Sequence, residues 1–395
     1  MMNLDAALRE NDGKGPGFHF VRHALSLVIL LHHASVLAVG GERAPAATKG
    51  DAVASLAMLL QGGDAVFLRQ SIIELLRPLL FSLVGAFFVL SGFLVAGSAF
   101  RTRDTRQFLT FRALRIAPAL ASEVLLSALV LGPLVTTSAL GAYFGDPQFY
   151  RYFGNIFGFV TYELPGVFAD NPVPGLVNSN LWTLPPEFYC YLVLSALIAS
   201  GLLFTRKGFL AFFLAVSAGV ALTASFGWPA PTRLDTTRFA GWFLVYLFLV
   251  GVALWILAAH VRLDKRLFIL FGGLYVLLMA TKTSDVLAGL CLAYCVVYVG
   301  MLRFPWFDRL LKADLSYGLY LYGYPITQAL VFFLLPHLDG APKGVRLAAI
   351  MSLALAATLI FAAASWTFIE KPALRLKRFV LPPRRAATPN LAPAE

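Results

Sequence analysis

The chain has 395 residues, of which 59% are hydrophobic and only 13% charged, with a formal net charge of +11. Soluble domains carry about 25% charged residues, so this chain has too little charge to cover a water-facing surface; a soluble enzyme, a disordered protein and a secreted disulfide scaffold are excluded. The apolar residues gather in windows of about 20, the length that crosses a bilayer, and the basic excess is the usual mark of cytoplasmic loops, with no need of a nucleic-acid partner.

Residues 1–17 are polar and Gly-rich, and the first apolar run has no small-residue exit, so it is expected to be a retained helix and not a cleaved signal. Ten spans are predicted, at 18–40, 75–99, 118–137, 181–203, 209–227, 239–259, 267–281, 286–302, 316–336 and 346–368. The expected fold class is therefore all-α, a polytopic integral membrane protein with about ten transmembrane helices. With the N-terminus inside, about two thirds of the 32 Lys and Arg fall in cytoplasmic segments. That bias predicts a cytoplasmic N-terminus, a cytoplasmic C-terminus and residence in the cell membrane. The expected organisation is a cytoplasmic segment 1–17, one membrane domain 18–378 and a Pro/Ala-rich disordered tail 379–395. The long outer segment 138–180, with turn signals at Gly145-Asp146-Pro147 and Asp170-Asn171-Pro172 and many aromatics, is predicted to form an interfacial hairpin over the membrane mouth.

Ionisable groups inside spans are costly and mark function by default. In the first span Arg22 and His33 are eleven residues apart, which puts them on one helix face roughly 16 Å apart. That face could join an anion site at the inner leaflet to a deep proton acceptor; equally, Arg22 could snorkel to headgroups and His33 bond a neighbouring helix. Ser91-Gly92 ends an apolar run and reads as a close-packing point between helices. Arg112 and Arg115, three apart, present two guanidinium forks on one face at the membrane boundary, suited to phosphate oxygens of a cytosolic ligand or a lipid. Glu187, in the first turn of the fourth span behind Pro185 and Pro186, either complements the helix dipole or serves the outer mouth as a partner for a histidine. Glu370 is expected to pair with Lys371 or Arg375, with Pro372 stopping the helix. Cys190, Cys291 and Cys295 lie in apolar stretches and read as packing, and no metal site is expected.

Six patterns occur in one order: Arg22 and His33; Phe87 to Leu94; Arg112-x-x-Arg115 with Pro118; Leu181-Trp182-Thr183-Leu184 with Glu187 and Tyr189; Ser316 to Leu321; and Glu370-Lys371-Pro372. Together, over about 18–378, they resemble the membrane-bound acyltransferase-3 family, whose members O-acylate exported polysaccharides, O-antigen and nodulation factors. The resemblance implies a cytosolic acyl-CoA donor, most simply acetyl-CoA, no permanently bound cofactor, and a saccharide hydroxyl as acceptor. It implies that His33 is the essential histidine, Arg22 its motif arginine, and Arg112 and Arg115 the pair for the donor's phosphates. Two departures follow. Many members carry a histidine in Tyr-Leu-x-His-x-Pro, but here the segment is Tyr320-Leu321-Tyr322-Gly323-Tyr324-Pro325. The extra hydrolase-like domain fused to some members is not expected here, so the minimal membrane form is the expectation. A transporter or flippase for a sugar or lipid-linked glycan explains buried polar groups equally well, but no inverted repeat is visible.

The expected chemistry places CoA at the cytoplasmic face, its arm crossing toward His33. There the imidazole activates a sugar hydroxyl or relays the acyl group, with Glu187 orienting the ring or binding sugar.

Overall fold

A computed structural model describes residues 3–11, 13, 15–39, 65–226, 230–233, 238–281 and 283–380. Ten long helices occupy the ten predicted positions: α1 Phe18–Val39, α2 Ala65–Thr102, α3 Thr105–Leu126, α4 Leu184–Ala199, α5 Arg206–Ser225, α6 Gly241–Ile256, α7 Lys265–Thr281, α8 Asp285–Gly300, α9 Ser316–Leu334 and α10 Lys343–Ser365. Among the described residues, seven segments are long and apolar enough to cross a membrane by themselves. The other three helices are α6 and α8, each of 16 residues, and α7, of 17. At about 1.5 Å per residue they fall short of a hydrocarbon core of about 30 Å. Among the described residues, strand is confined to Thr232–Arg233 against Arg238–Phe239. The chain is an all-α polytopic membrane protein. Of the predicted disordered tail 379–395, Phe379 and Val380 belong to a short helix, Lys377–Val380, and residues 381–395 lie outside the described residues, as does the whole loop 40–64 between α1 and α2.

Three boundaries differ from expectation for identifiable reasons. The third helix starts well before Pro118, because Asp104 caps it by accepting from the Gln107 amide at 2.7 Å. Arg112 and Arg115 are consequently inside the helix. Second, α3 runs on through a π turn at Ser127–Leu131 into Gly132–Val135. Third, α10 runs through a π turn at Trp366–Glu370 into Lys371–Arg375, so Pro372 does not stop it. Each π turn precedes a proline, Pro133 or Pro372, and the wider turn relieves the clash of the ring with the preceding turn.

The core is the packing of α2 against α6. A Cβ at Gly92 would collide with the Phe248 carbonyl oxygen, and one at Gly251 with the Val89 carbonyl oxygen. The two backbones touch because both sites lack side chains, which is the packing reading of Ser91-Gly92. Backbone oxygens cannot swing aside, so Gly251→Val should cost about 1–3 kcal/mol. Thermal unfolding in detergent should show that loss, whereas Gly219→Ala, on an open helix face with nothing within 4 Å, should be neutral or slightly stabilising. Equal midpoints for the two variants would refute the close-packing account.

The segment after α3 is a folded cap built from two short helices, Leu140–Gly145 and Pro147–Tyr152, a 3-10 turn and tied loops, where a hairpin was expected. Tyr143 donates to the Ala128 carbonyl at 2.7 Å, and the buried Asn155 staples its own loop through Thr161. Asn171 donates to the Gln328 side chain at 2.8 Å, while Gln328 donates to the Val173 and Leu176 carbonyls, which fastens the cap to α9. Tyr150, Phe157 and Phe159 remain exposed on it, as suits a water–lipid interface.

Contacts also group several termini of helices at one end of the bundle. The helix Leu4–Glu10 donates its first amide to Val261 at 2.8 Å, Arg303 donates to Asn11 at 3.0 Å, and Arg206 meets His260. The segments assigned to one side by charge are thus neighbours in space.

Candidate active site

A cavity of about 220 Å³ lies between α2, α3, α4 and α9 and is reached by Arg22 of α1. Its polar lining is ordered by the helices that supply it. Arg22, Arg112 and Arg115 form one end. Glu187, Tyr191 and Tyr317 follow, then Thr183, Asn180 and Tyr320. Along α9, Ser316 and Tyr320 are one helical turn apart, roughly 6 Å. Apolar walls come from Phe87, Phe88, Leu94 and Phe248.

The guanidinium end is held by two carboxylates. Arg22 and Arg115 each place Nη2 at 2.8 Å from the same Oδ2 of Asp314, two residues before α9. Asp314 Oδ1 accepts from Ser316 Oγ at 2.7 Å. Burial alone would raise the Asp314 carboxyl, but Arg115 and Arg22 outweigh it and hold it well below the usual carboxylate range. Arg115 also reaches Glu370 Oε2 at 3.7 Å, and Glu370 Oε1 accepts from Ser365. Glu370 therefore pairs across the bundle with Arg115 and not with Lys371 or Arg375. Its side chain is buried where the π turn directs it inward. A backbone brace supports the cluster: Ser26 donates to the Ser316 carbonyl, and His23 joins α1 to the start of α9. The Leu315 N–H can only donate, so His23 Nε2 accepts from it at 3.0 Å, and Nδ1–H donates to the His19 carbonyl at 2.8 Å. This pattern belongs to the neutral ring.

Arg112 differs from its partner in the motif. It lies 6.0 Å over the Phe108 ring, its Nε is buried without a hydrogen-bond partner, and it makes no ion pair among the described residues. Glu187 accepts from Tyr191 at 2.6 Å and feels the charges of Arg112 and Arg115 across the cavity. At the far end, Thr183 and Tyr320 share a hydrogen bond of 3.0 Å, while Asn180 Oδ1 is buried without a partner.

His33 does not line this cavity. Its ring meets Tyr324 edge-on at 5.3 Å, and its Nδ1 is buried with no hydrogen-bond partner. Tyr324 follows Tyr320 by one turn of α9, so His33 lies just beyond the Tyr320 end, on the α1 face that carries Arg22 into the opposite end. Eleven residues rotate a helix by roughly 20° beyond three full turns. The structure thus brings Arg22, Arg112, Arg115 and Glu187 together and leaves His33 at the head of the same column. No hydrogen bond joins Glu187 to His33 among the described residues, so Glu187 does not orient that ring here. Gly323 holds the place of the late family histidine, and Leu30 of α1 fills its space: a Cβ there would lie 2.7 Å from Leu30 Cδ1.

Two acids escaped the sequence analysis. Asp314 lies just outside a span, in a stretch that reads as loop. Glu123 is buried inside α3, accepting from Ser127 and Asn178, with Oε2 unpartnered. The rule that ionisable residues in spans signal function should have singled it out.

A family model described as an acyltransferase domain, the acyltransferase-3 type, matches residues 27–369. The chain belongs to the acyltransferase-3 family. His33, Arg112, Arg115 and Glu187 fall within the matched residues, while Arg22 precedes them. Among curated proteins, an O-acetyl transferase of Shigella phage Sf6 is 25% identical over 299 residues, covering 72% of this chain and 82% of that protein. Nodulation protein 10 of Rhizobium leguminosarum bv. viciae is 27% identical over 329 residues, covering 76% of this chain and 84% of that protein. No solved structure matches. This acyltransferase-3 chain is thus a membrane O-acyltransferase, and the cavity is the place in it where charged and apolar groups converge.

Proposed function

We propose that the protein transfers an acyl group, most simply acetyl, from cytosolic acyl-CoA to a saccharide hydroxyl presented at the outer side of the cytoplasmic membrane. The observation that carries this reading is the cavity itself, cationic at one end and apolar along its length, with hydroxyls and an amide at the other. A phosphorylated, thin-armed thioester has that distribution of chemistry. Its phosphates would meet Arg22, Arg112 and Arg115, and its pantetheine arm would lie along Phe87, Phe88 and Leu94. The acyl group would arrive near Thr183, Asn180 and Tyr320.

His33 is the proposed base. With Nδ1 unpartnered, the imidazole can take the proton of the attacking hydroxyl as its oxygen bonds to the thioester carbonyl carbon. The C–S bond then breaks, and the CoA thiolate leaves and takes up that proton. Glu187, facing the cavity, accepts from a hydroxyl or amide of bound substrate. The related O-acetyl transferase supports the acetyl reading, and the nodulation protein marks the same family.

The test is transfer of radiolabelled acetyl from acetyl-CoA. Membranes containing the protein and the producing cell's surface glycan should gain base-labile label in the glycan, and NMR should show a new O-acetyl signal. An intact thioester with unchanged glycan would overturn the reading.

A further inference from the structure

The five cations around the cytoplasm-facing end of the cavity are not equivalent. Arg22 and Arg115 have their charges paired inside the protein, since both bond one Asp314 oxygen and Arg115 also reaches Glu370, although Arg22 Nε is buried without a hydrogen-bond partner. Arg112 has no carboxylate at ion-pair distance and a buried, unpartnered Nε. Two further cations approach it from other elements. Lys377, in the short helix Lys377–Val380 after α10, lies 5.3 Å over the Phe111 ring and is repelled by Arg112 and Arg115. Arg101 stands at the end of α2, which the two-residue turn Arg103-Asp104 joins to the start of α3, and it is repelled by Arg112. Neither Lys377 nor Arg101 makes an ion pair among the described residues. The ends of two consecutive helices and a segment more than 260 residues further along the chain thus bring together three charges that have no ion pair among the described residues. Such an arrangement costs free energy unless an anion completes it.

We propose that Arg101, Arg112 and Lys377 form a phosphate seat at the cavity mouth that takes the nucleotide phosphates of the acyl-CoA donor, the 3′-phosphate among them. Arg22 and Arg115, clamped on Asp314, border that seat and add positive charge on the cavity side of the phosphates. This inference rests on acyl-CoA being the donor. The chemistry recognised is a phosphate ester, which an anionic lipid headgroup also offers at a membrane boundary. Depth favours the donor: the seat continues the cavity lining through Arg112, and Phe108 and Phe111 beside it present ring faces that hold guanidinium and ammonium groups in place.

The experiment measures binding of CoA, 3′-dephospho-CoA and pantetheine to the full-length protein in nanodiscs by calorimetry. Wild type should prefer CoA to 3′-dephospho-CoA, and Lys377→Gln and Arg101→Gln should each weaken CoA binding about tenfold. The same variants should bind 3′-dephospho-CoA with smaller loss, and Lys377→Arg should restore the preference. Phosphatidylcholine nanodiscs and nanodiscs with phosphatidylglycerol separate the two phosphate sources. CoA binding that is equal in both supports the donor. Binding of phosphatidylglycerol that displaces CoA, and that Lys377→Gln abolishes, makes the seat a lipid site and overturns the proposal. An unchanged CoA preference in both glutamine variants also overturns it, while the acyl-CoA reading survives. Wild type that fails to distinguish CoA from pantetheine overturns both.

Discussion

Replacing His33 by alanine is expected to lower acyl transfer by about 10²–10⁴-fold, the usual contribution of a positioned general base. The protein should remain folded, because His33 contributes no hydrogen bond through its buried Nδ1 and its ring contacts are with Tyr324 and the adjacent His32. Donor affinity should also persist, since His33 lies outside the cavity whose cationic end meets the phosphates. The loss therefore belongs in the rate with saturating acyl-CoA, not in its KM. His32→Ala serves as the control, removing the adjacent ring, 5.8 Å away, without the register to Arg22. Comparing labelled-acetyl transfer by the two variants, with membrane content checked by immunoblot, decides the matter. Near-wild-type transfer by His33→Ala would remove the histidine from the chemistry.

The helical architecture was legible because hydropathy is local: all ten predicted spans coincide with long helices. Their lengths were less so. Helices α6 and α8 are packed among neighbouring helices, α6 almost along its whole length, whereas α7 buries only Tyr275, Leu278 and Met279 and leaves Ile269, Leu270, Val276 and Leu277 exposed. The family and the grouping of Arg22, Arg112 and Arg115 were legible in motif order, but Glu187 was expected beside His33 at the outer mouth and instead faces Arg112 and Arg115. What spacing concealed was the difference between Arg112 and Arg115. They are identical in the pattern, yet only Arg115 meets Asp314, 199 residues away. No periodicity reports such a long-range pairing. The partner of Glu370 was hidden for the same reason, with the π turn adding a rotation that a regular helix lacks. His33 keeps the predicted face of α1, but whether that face is open to the cavity along its full length depends on Tyr324 and Leu30, residues that no helical wheel of α1 includes.

The ion cluster at Asp314 makes the second large prediction. Asp314→Asn removes the charge that two guanidiniums share while leaving a side chain of the same shape. Breaking a buried pair by deleting one partner costs about 3–5 kcal/mol. Because the Arg22 and Asp314 side chains keep 28% and 15% of their exposure, solvent screening lowers the expectation to about 2–3 kcal/mol. Thermal unfolding in detergent at pH 7 should show that loss. The folded-state carboxyl is held below its ordinary range, so its stabilisation is complete above the unfolded pKa of about 3.9 and is lost as pH falls through the folded value. The gap between wild type and Asp314→Asn should accordingly stay level from pH 7 down to about 5 and narrow only below about 4. Adding Arg22→Gln to Asp314→Asn should recover part of the loss, since one of the two stranded cations disappears; a coupling of about 1–2 kcal/mol is expected for residues in direct contact. Additive losses would mean that Arg22 owes its position to something other than Asp314, and the structural clamp would then reduce to Arg115 alone.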